Sequence, residues 1–165
     1  VDVSGGGERE ILAGVLDAQR EDVHRRLAGL TWDLAVTRLG PTPTSAAGIV
    51  KHLTDVERWW FRHHLDAEED VPFAWSQTEK DREFVLHDGE SLEGLLEDYA
   101  RACDESRAVA ARHSLDDLTA HPVNWLGGAQ PSLRWIYAHM IEETARHLGH
   151  LDIYRELLDG VNDAD

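Results

Sequence analysis

Ile136-Tyr137-Ala138-His139-Met140-Ile141-Glu142-Glu143-Thr144-Ala145-Arg146-His147-Leu148-Gly149-His150-Leu151-Asp152-Ile153-Tyr154 is the stretch from which the fold of this chain can be read. It contains no proline, and its apolar residues recur at helical spacing. At about 100° per residue, His139, Glu143, His147, His150 and Tyr154 fall within an arc of roughly 80°. Ile136 shares that arc, and Met140 and Leu151 border it. Part of the polar stripe must therefore lie against neighbouring helices, where ionisable groups require partners. A Glu and a His four residues apart project from successive turns of one face, close enough for a carboxylate oxygen and an imidazole nitrogen to reach one cation. Glu143 and His147 are such a pair.

The rest of the chain supplies neighbours for that helix. Pro131 or Ser132 opens it and Gly160 stops it, so helix 4 is expected over about 132–159. Ile11, Leu12, Val15, Leu16, Val23, Leu27 and Leu30 predict helix 1 over about 8–30. Pro41-Thr42-Pro43 interrupts the pattern, and Thr44 is the expected N-cap of helix 2 over about 44–66, whose stripe holds Ile49, Leu53, Val56 and Trp60. Ser91 is the expected cap of helix 3 over about 92–113. Residues 67–90 and 114–130 lack a sustained period and read as connections. The expected fold is thus all-α, a four-helix bundle. The long connection between helices 2 and 3 lets those two run parallel, giving an up-down-down-up order. Residues 1–7 read as a flexible lead-in, 8–160 as one domain and 161–165 as a tail.

Composition narrows the function. With 165 residues, 42% hydrophobic and 29% charged, the chain is globular and of single-domain size. A formal net charge of −16 repels phosphate backbones and anionic lipid, so neither nucleic acid nor membrane is an expected partner. No apolar run approaches a membrane span. The first seven residues show neither the basic flank nor the apolar middle of a signal peptide, which points to the cytoplasm. Cys103 is the only cysteine, so any metal must rely on His, Asp and Glu. Gly127-Gly128 lacks the context of a phosphate loop, and no Ser-His-Asp or Cys-His arrangement has recognisable surroundings.

A third ligand has to come from another helix, and His52 suits because it borders the apolar stripe of helix 2 and shares a face with Trp59. Two His and one carboxylate leave coordination positions open, as in catalytic zinc and non-haem iron sites. The opposing reading is a Glu–His pair on a solvated helix face, since ten histidines produce such spacings by chance. His139 and His150 are spare ligands or supports of the ligands. His63 and His64 read as helix-end groups. His24, His87, His113 and His121 carry no spacing signal. Trp59, Trp60, Trp125, Trp135 and Tyr154 are either pocket walls or core.

Gly48-Ile49-Val50-Lys51-His52-Leu53-Thr54-Asp55-Val56-Glu57-Arg58-Trp59-Trp60 and Glu142-Glu143-Thr144-Ala145-Arg146-His147-Leu148-Gly149-His150 resemble the DinB-like superfamily, specifically its actinobacterial branch. The similarity runs from about residue 8 to 160. The resemblance implies a four-helix bundle with a divalent metal, zinc or nickel, held by one His of helix 2 and two residues of helix 4. His52 matches the first. Many relatives have His-x-x-x-His on helix 4. The pattern Glu143-x-x-x-His147 instead resembles the mycothiol-dependent maleylpyruvate isomerase branch, whose additional C-terminal domain has no counterpart in these residues, so isomerase activity is not expected.

Superfamily members include thiol S-transferases that use the low-molecular-weight thiol of their lineage, which implies that the metal here holds a thiolate. Of the sixteen basic residues only Lys51 and Lys80 are lysines. That Arg excess suits a GC-rich genome and, with the resemblance, points to mycothiol as cosubstrate, acting on a small electrophile. Family habit and the Trp content around helix 2 imply a homodimer. Two alternatives stay open: a metal-dependent hydrolase, with Glu142 or a site His as base, and a non-catalytic bundle that stores or senses a small ligand.

Overall fold

The computed structural model describes residues 5–161 except 77 and 80. Most of the expected lead-in and tail, residues 1–4 and 162–165, lie outside the described residues. Helix α1, Glu8–Leu27, buries Leu16, Arg20, Val23 and Leu27. It stops short of the expected residue 30 because Gly29 takes a positive φ of 76°, and Thr31 then caps a separate single turn, α2, Trp32–Ala35. That turn was not expected, since four residues are too few to carry a period.

Helix α3, Ala46–Glu57, is capped by Ser45, whose Oγ accepts the Gly48 N–H at 3.1 Å; the expected cap, Thr44, lies one residue earlier. A Cβ at Gly48 would meet the Phe84 carbonyl at 2.8 Å, so glycine lets the long connection lie directly on α3. The helix continues without a break as a π-helical segment, Arg58–Leu65, a wider winding that is frequent at functional sites. A 3-10 turn, Arg82–Phe84, sits within the long connection. Ser91 caps α4, Leu92–Ala110, and Ser132 caps α5, Leu133–Leu158.

Cross-helix contacts give the directions. Glu8 pairs with Arg134 at 2.7 Å and Arg26 pairs with Asp152, so α1 and α5 run parallel. Lys51–Glu90, Arg58–Asp98 and Arg62–Glu105, at 2.6, 2.6 and 2.8 Å, run in step along α3, its π-helical extension and α4, which are parallel too. Leu16 shares one half of the core with Phe61, and Leu27 shares the other with Ile49, so α1 runs antiparallel to α3 and its extension. The bundle is up-down-down-up, with no strand among the described residues. Arg20 of α1 and Glu57 of α3 form a bidentate ion pair at 2.8 and 2.6 Å, both nearly sealed from water. At the end of the π-helical segment the His64 carbonyl accepts the N–H groups of Ala120 and His121 at 2.8 and 3.2 Å. That anchor holds the second connection, with its 3-10 turn Asn124–Leu126, against α3 and α5.

Candidate metal centre and adjoining cleft

The antiparallel pairing of α3 with α5 brings His52 opposite the Glu143/His147 turn. His52 Nε2 lies 3.0 Å and His147 Nε2 3.2 Å from the same oxygen, Oε1 of Glu143. One donor atom from each of the three side chains lies within 4.8 Å of the others. The two imidazoles hold the Glu143 carboxyl well below the usual carboxylate range, His147 contributing most and His52 next. Burial lowers the basicity of His147, which keeps it neutral, the form a cation requires. Phe84 stacks on His52 at 4.5 Å between ring centroids and fixes its ring plane.

The tautomers test whether a cation fits. A carboxylate only accepts, so both contacts to Glu143 need Nε2–H. His52 Nδ1 is then a bare acceptor, and it is buried without a hydrogen-bond partner among the described residues. Its neighbour at 3.8 Å is Oε1 of Glu83, another acceptor. With Nε2 directed at a cation, the proton resides on Nδ1 and faces a carboxylate, as metal-bound imidazoles commonly do. His147 Nδ1 likewise has His150 Nδ1 at 3.5 Å. His52, His147 and the Glu143 carboxylate are thus a donor set that fits a divalent ion.

Beside the three residues opens a cleft of about 580 Å³, lined among others by His52, Glu143, Glu83, Asp55, Trp59, Trp60, Trp75, Trp125, His64, His121 and His139. Trp60, at the base, has Trp135 at 5.2 Å, His139 at 5.0 Å and Trp125 at 6.1 Å. Trp59 meets Trp75 at 4.8 Å. Burial lowers the basicity of both His139 and His64, leaving neutral rings in the wall. Asp55 is buried, and its Oδ2 accepts the N–H groups of Ala74 and Trp75 at 2.7 and 3.0 Å. Burial pushes its carboxyl up to about 6 against those hydrogen bonds.

His52, Glu143 and His147 come together, and Trp59, Trp60, Trp125 and His139 line the cleft. His150 supports His147 from the exposed side. Tyr154 belongs elsewhere: it is buried in the other half of the core and donates to the Thr44 carbonyl at 2.7 Å. Glu142 is exposed and does not itself line the cleft; it pairs with Arg146 and lies 3.5 Å from Nδ1 of the cleft residue His139. His63 and His64, expected as helix-end groups, and His121, which carried no signal, are cleft residues. Asp55, Glu83 and Trp75 were missed. Asp55 follows His52 by three residues on the same helix face, a signal that was there to be read; Glu83 and Trp75 sit in an irregular connection and offered none.

Residues 11–160 match the family model described as mycothiol-S-transferase. No match is found among the curated proteins. Among solved structures, the crystal structure of a conserved protein from Enterococcus faecalis is similar to this chain. Its TM-score is 0.67 at 17% identity, covering 95% of this chain and 100% of that one, a likeness of fold. No helix among the described residues is long and apolar enough to cross a membrane.

Proposed function

The chain belongs to the mycothiol-S-transferase family, and from that premise we propose that it is a metal-dependent thiol S-transferase that joins mycothiol to a small electrophile. The observation that carries the proposal is the convergence of His52 and His147 on one oxygen of Glu143 at the end of an open cleft. The ligands would be these three side chains and the ion zinc or nickel. Such a cation, when bound, lowers the pKa of a thiol at its open position and so supplies a thiolate near neutral pH.

The protein's own residues account for the rest. Cys103 is 2% exposed in the core and burial pushes its thiol far above the range in which it ionises, so the reacting sulfur has to come from the cosubstrate. His147, buried and neutral, and Glu143, held ionised, keep a donor set of one negative charge. Phe84 stacks on His52 and holds its ring plane, with Glu83 Oε1 3.8 Å from Nδ1. The indoles of Trp59, Trp60, Trp75 and Trp125 line the space where sulfur and electrophile would meet.

Turnover of monochlorobimane with mycothiol, glutathione and bacillithiol tests the proposal. Mycothiol should accelerate the reaction most, and the rate should persist at mildly acidic pH, where free thiol is almost wholly protonated. Failure of every thiol across several electrophiles, in protein that holds metal, would overturn it and favour a hydrolase.

A further inference from the structure

We propose that the electrophile this cleft selects is a flat aromatic molecule carrying no negative charge; the inference rests on the transferase reading and adds the substrate class. Large apolar side chains are ordinarily buried, yet Trp125 is 62% and Trp75 39% exposed, and both stand on the same cleft. They arrive from different connections. Trp75 is held by the Asp55 carboxylate through its own backbone N–H, and Trp125 rides on the 3-10 turn next to Trp60. With Trp59 and Trp60 they give the cleft four indoles from three separate segments of chain.

Indole faces favour a ring over an aliphatic chain of the same area, because offset and edge-to-face contacts add to burial. Charge sets the second half of the preference. Among the described residues the lining contains the carboxylates of Asp55, Glu83 and Glu143 and no Lys or Arg. The nearest cation on α5, Arg146, is exposed and already engaged by Glu142 and Glu143. Even with one divalent ion on His52, Glu143 and His147, the three carboxylates leave the described lining net negative, so an anionic acceptor would lose its hydration without a surplus counter-charge. On a neutral aromatic acceptor the transfer balances simply. The S–C bond forms as the bond from carbon to the leaving group breaks, the leaving group keeps the electron pair, and the thiol proton goes to solvent.

The test uses ligands that cannot react with a thiol, so that it stands apart from turnover. Calorimetric titration of the purified protein at pH 8 compares 2-naphthylmethanol, 2-naphthalenesulfonate and the saturated decahydro-2-naphthylmethanol. The neutral aromatic should bind at least about tenfold more tightly than the sulfonate. Trp125→Leu and Trp75→Leu keep an apolar side chain and remove the ring at exposed positions that do not hold the core. Each should weaken the aromatic ligand roughly threefold to tenfold and leave the saturated one nearly unchanged. A sulfonate that binds as tightly as the alcohol, or variants that weaken both alcohols equally, would overturn the substrate class. Absence of thiol turnover with this binding pattern intact would instead remove the transferase reading and leave the ligand preference standing.

Discussion

Glu83 Oε1 stands 3.8 Å from His52 Nδ1, a buried nitrogen with no hydrogen-bond partner among the described residues. One group comes from the long connection and the other from α3, so their juxtaposition is a product of the tertiary fold. If Glu83 orients the imidazole for a cation, Glu83→Gln should weaken metal affinity about tenfold to a hundredfold while leaving helical circular dichroism unchanged. Competition with a chelator of known affinity measures it. Unchanged affinity would reduce Glu83 to a wall residue.

The Arg20–Glu57 pair bridges α1 and α3 with 4% and 1% of each residue exposed. Removing Arg20 leaves the buried Glu57 charge uncompensated, a loss of about 3–5 kcal/mol, whereas removing Glu57 leaves Arg20 its ion pair with Asp17 at 2.8 Å. Arg20→Met should therefore lower the urea midpoint sharply, whereas replacing both residues with well-packed apolar ones should restore most of the stability. Equal loss in the single and double variants would contradict the assignment of the effect to unpaired charge.

Asp55 gives a pH dependence of definite sign. Its folded carboxyl, at about 6, binds a proton more tightly than the unfolded one at 3.8. The folded state therefore holds the extra proton between those values, and stability falls as pH rises through that window. At neutral pH the ionised form lowers stability by about 3 kcal/mol relative to the neutral one. Asp55→Asn, which can still accept the two backbone N–H groups, should be more stable than the wild type by about 1–3 kcal/mol at about pH 7.5. That advantage should vanish below about pH 4. Denaturant titrations of both proteins across that range decide it; an advantage independent of pH would show that burial does not set the Asp55 carboxyl.

The helix pattern was legible because each helix buries a stripe long enough to show its period. Ser91 and Ser132 act as their chemistry suggests. Thr44 and Ser45 are both good caps, and only the tertiary position of α3 selects the second. The π-helical winding of Arg58–Leu65 leaves no local mark, since an apolar and aromatic run such as Trp59-Trp60-Phe61 satisfies either winding. The three converging residues were readable from the spacing of Glu143 and His147 and from the resemblance at His52. Tyr154 shares their helix face but sits two turns beyond His147, past the end of the cleft, and packs into the other half of the core. Glu83 and Trp75 reach the cleft by a path that has no period.

The most direct measurement of the account follows mycothiol turnover as a function of divalent metal per chain, for the wild type and for His52→Ala, His147→Ala, Glu143→Gln and the control His24→Ala. The wild type and His24→Ala should purify with about one ion per chain and share one rate. Chelation should abolish turnover and added zinc or nickel restore it. The three site variants should lose most metal and most activity together, and excess metal should rescue Glu143→Gln only in part, because a neutral amide is a poor ligand for a divalent ion. Turnover that persists unchanged in metal-free protein, or full metal retention in both His52→Ala and His147→Ala, would contradict the account.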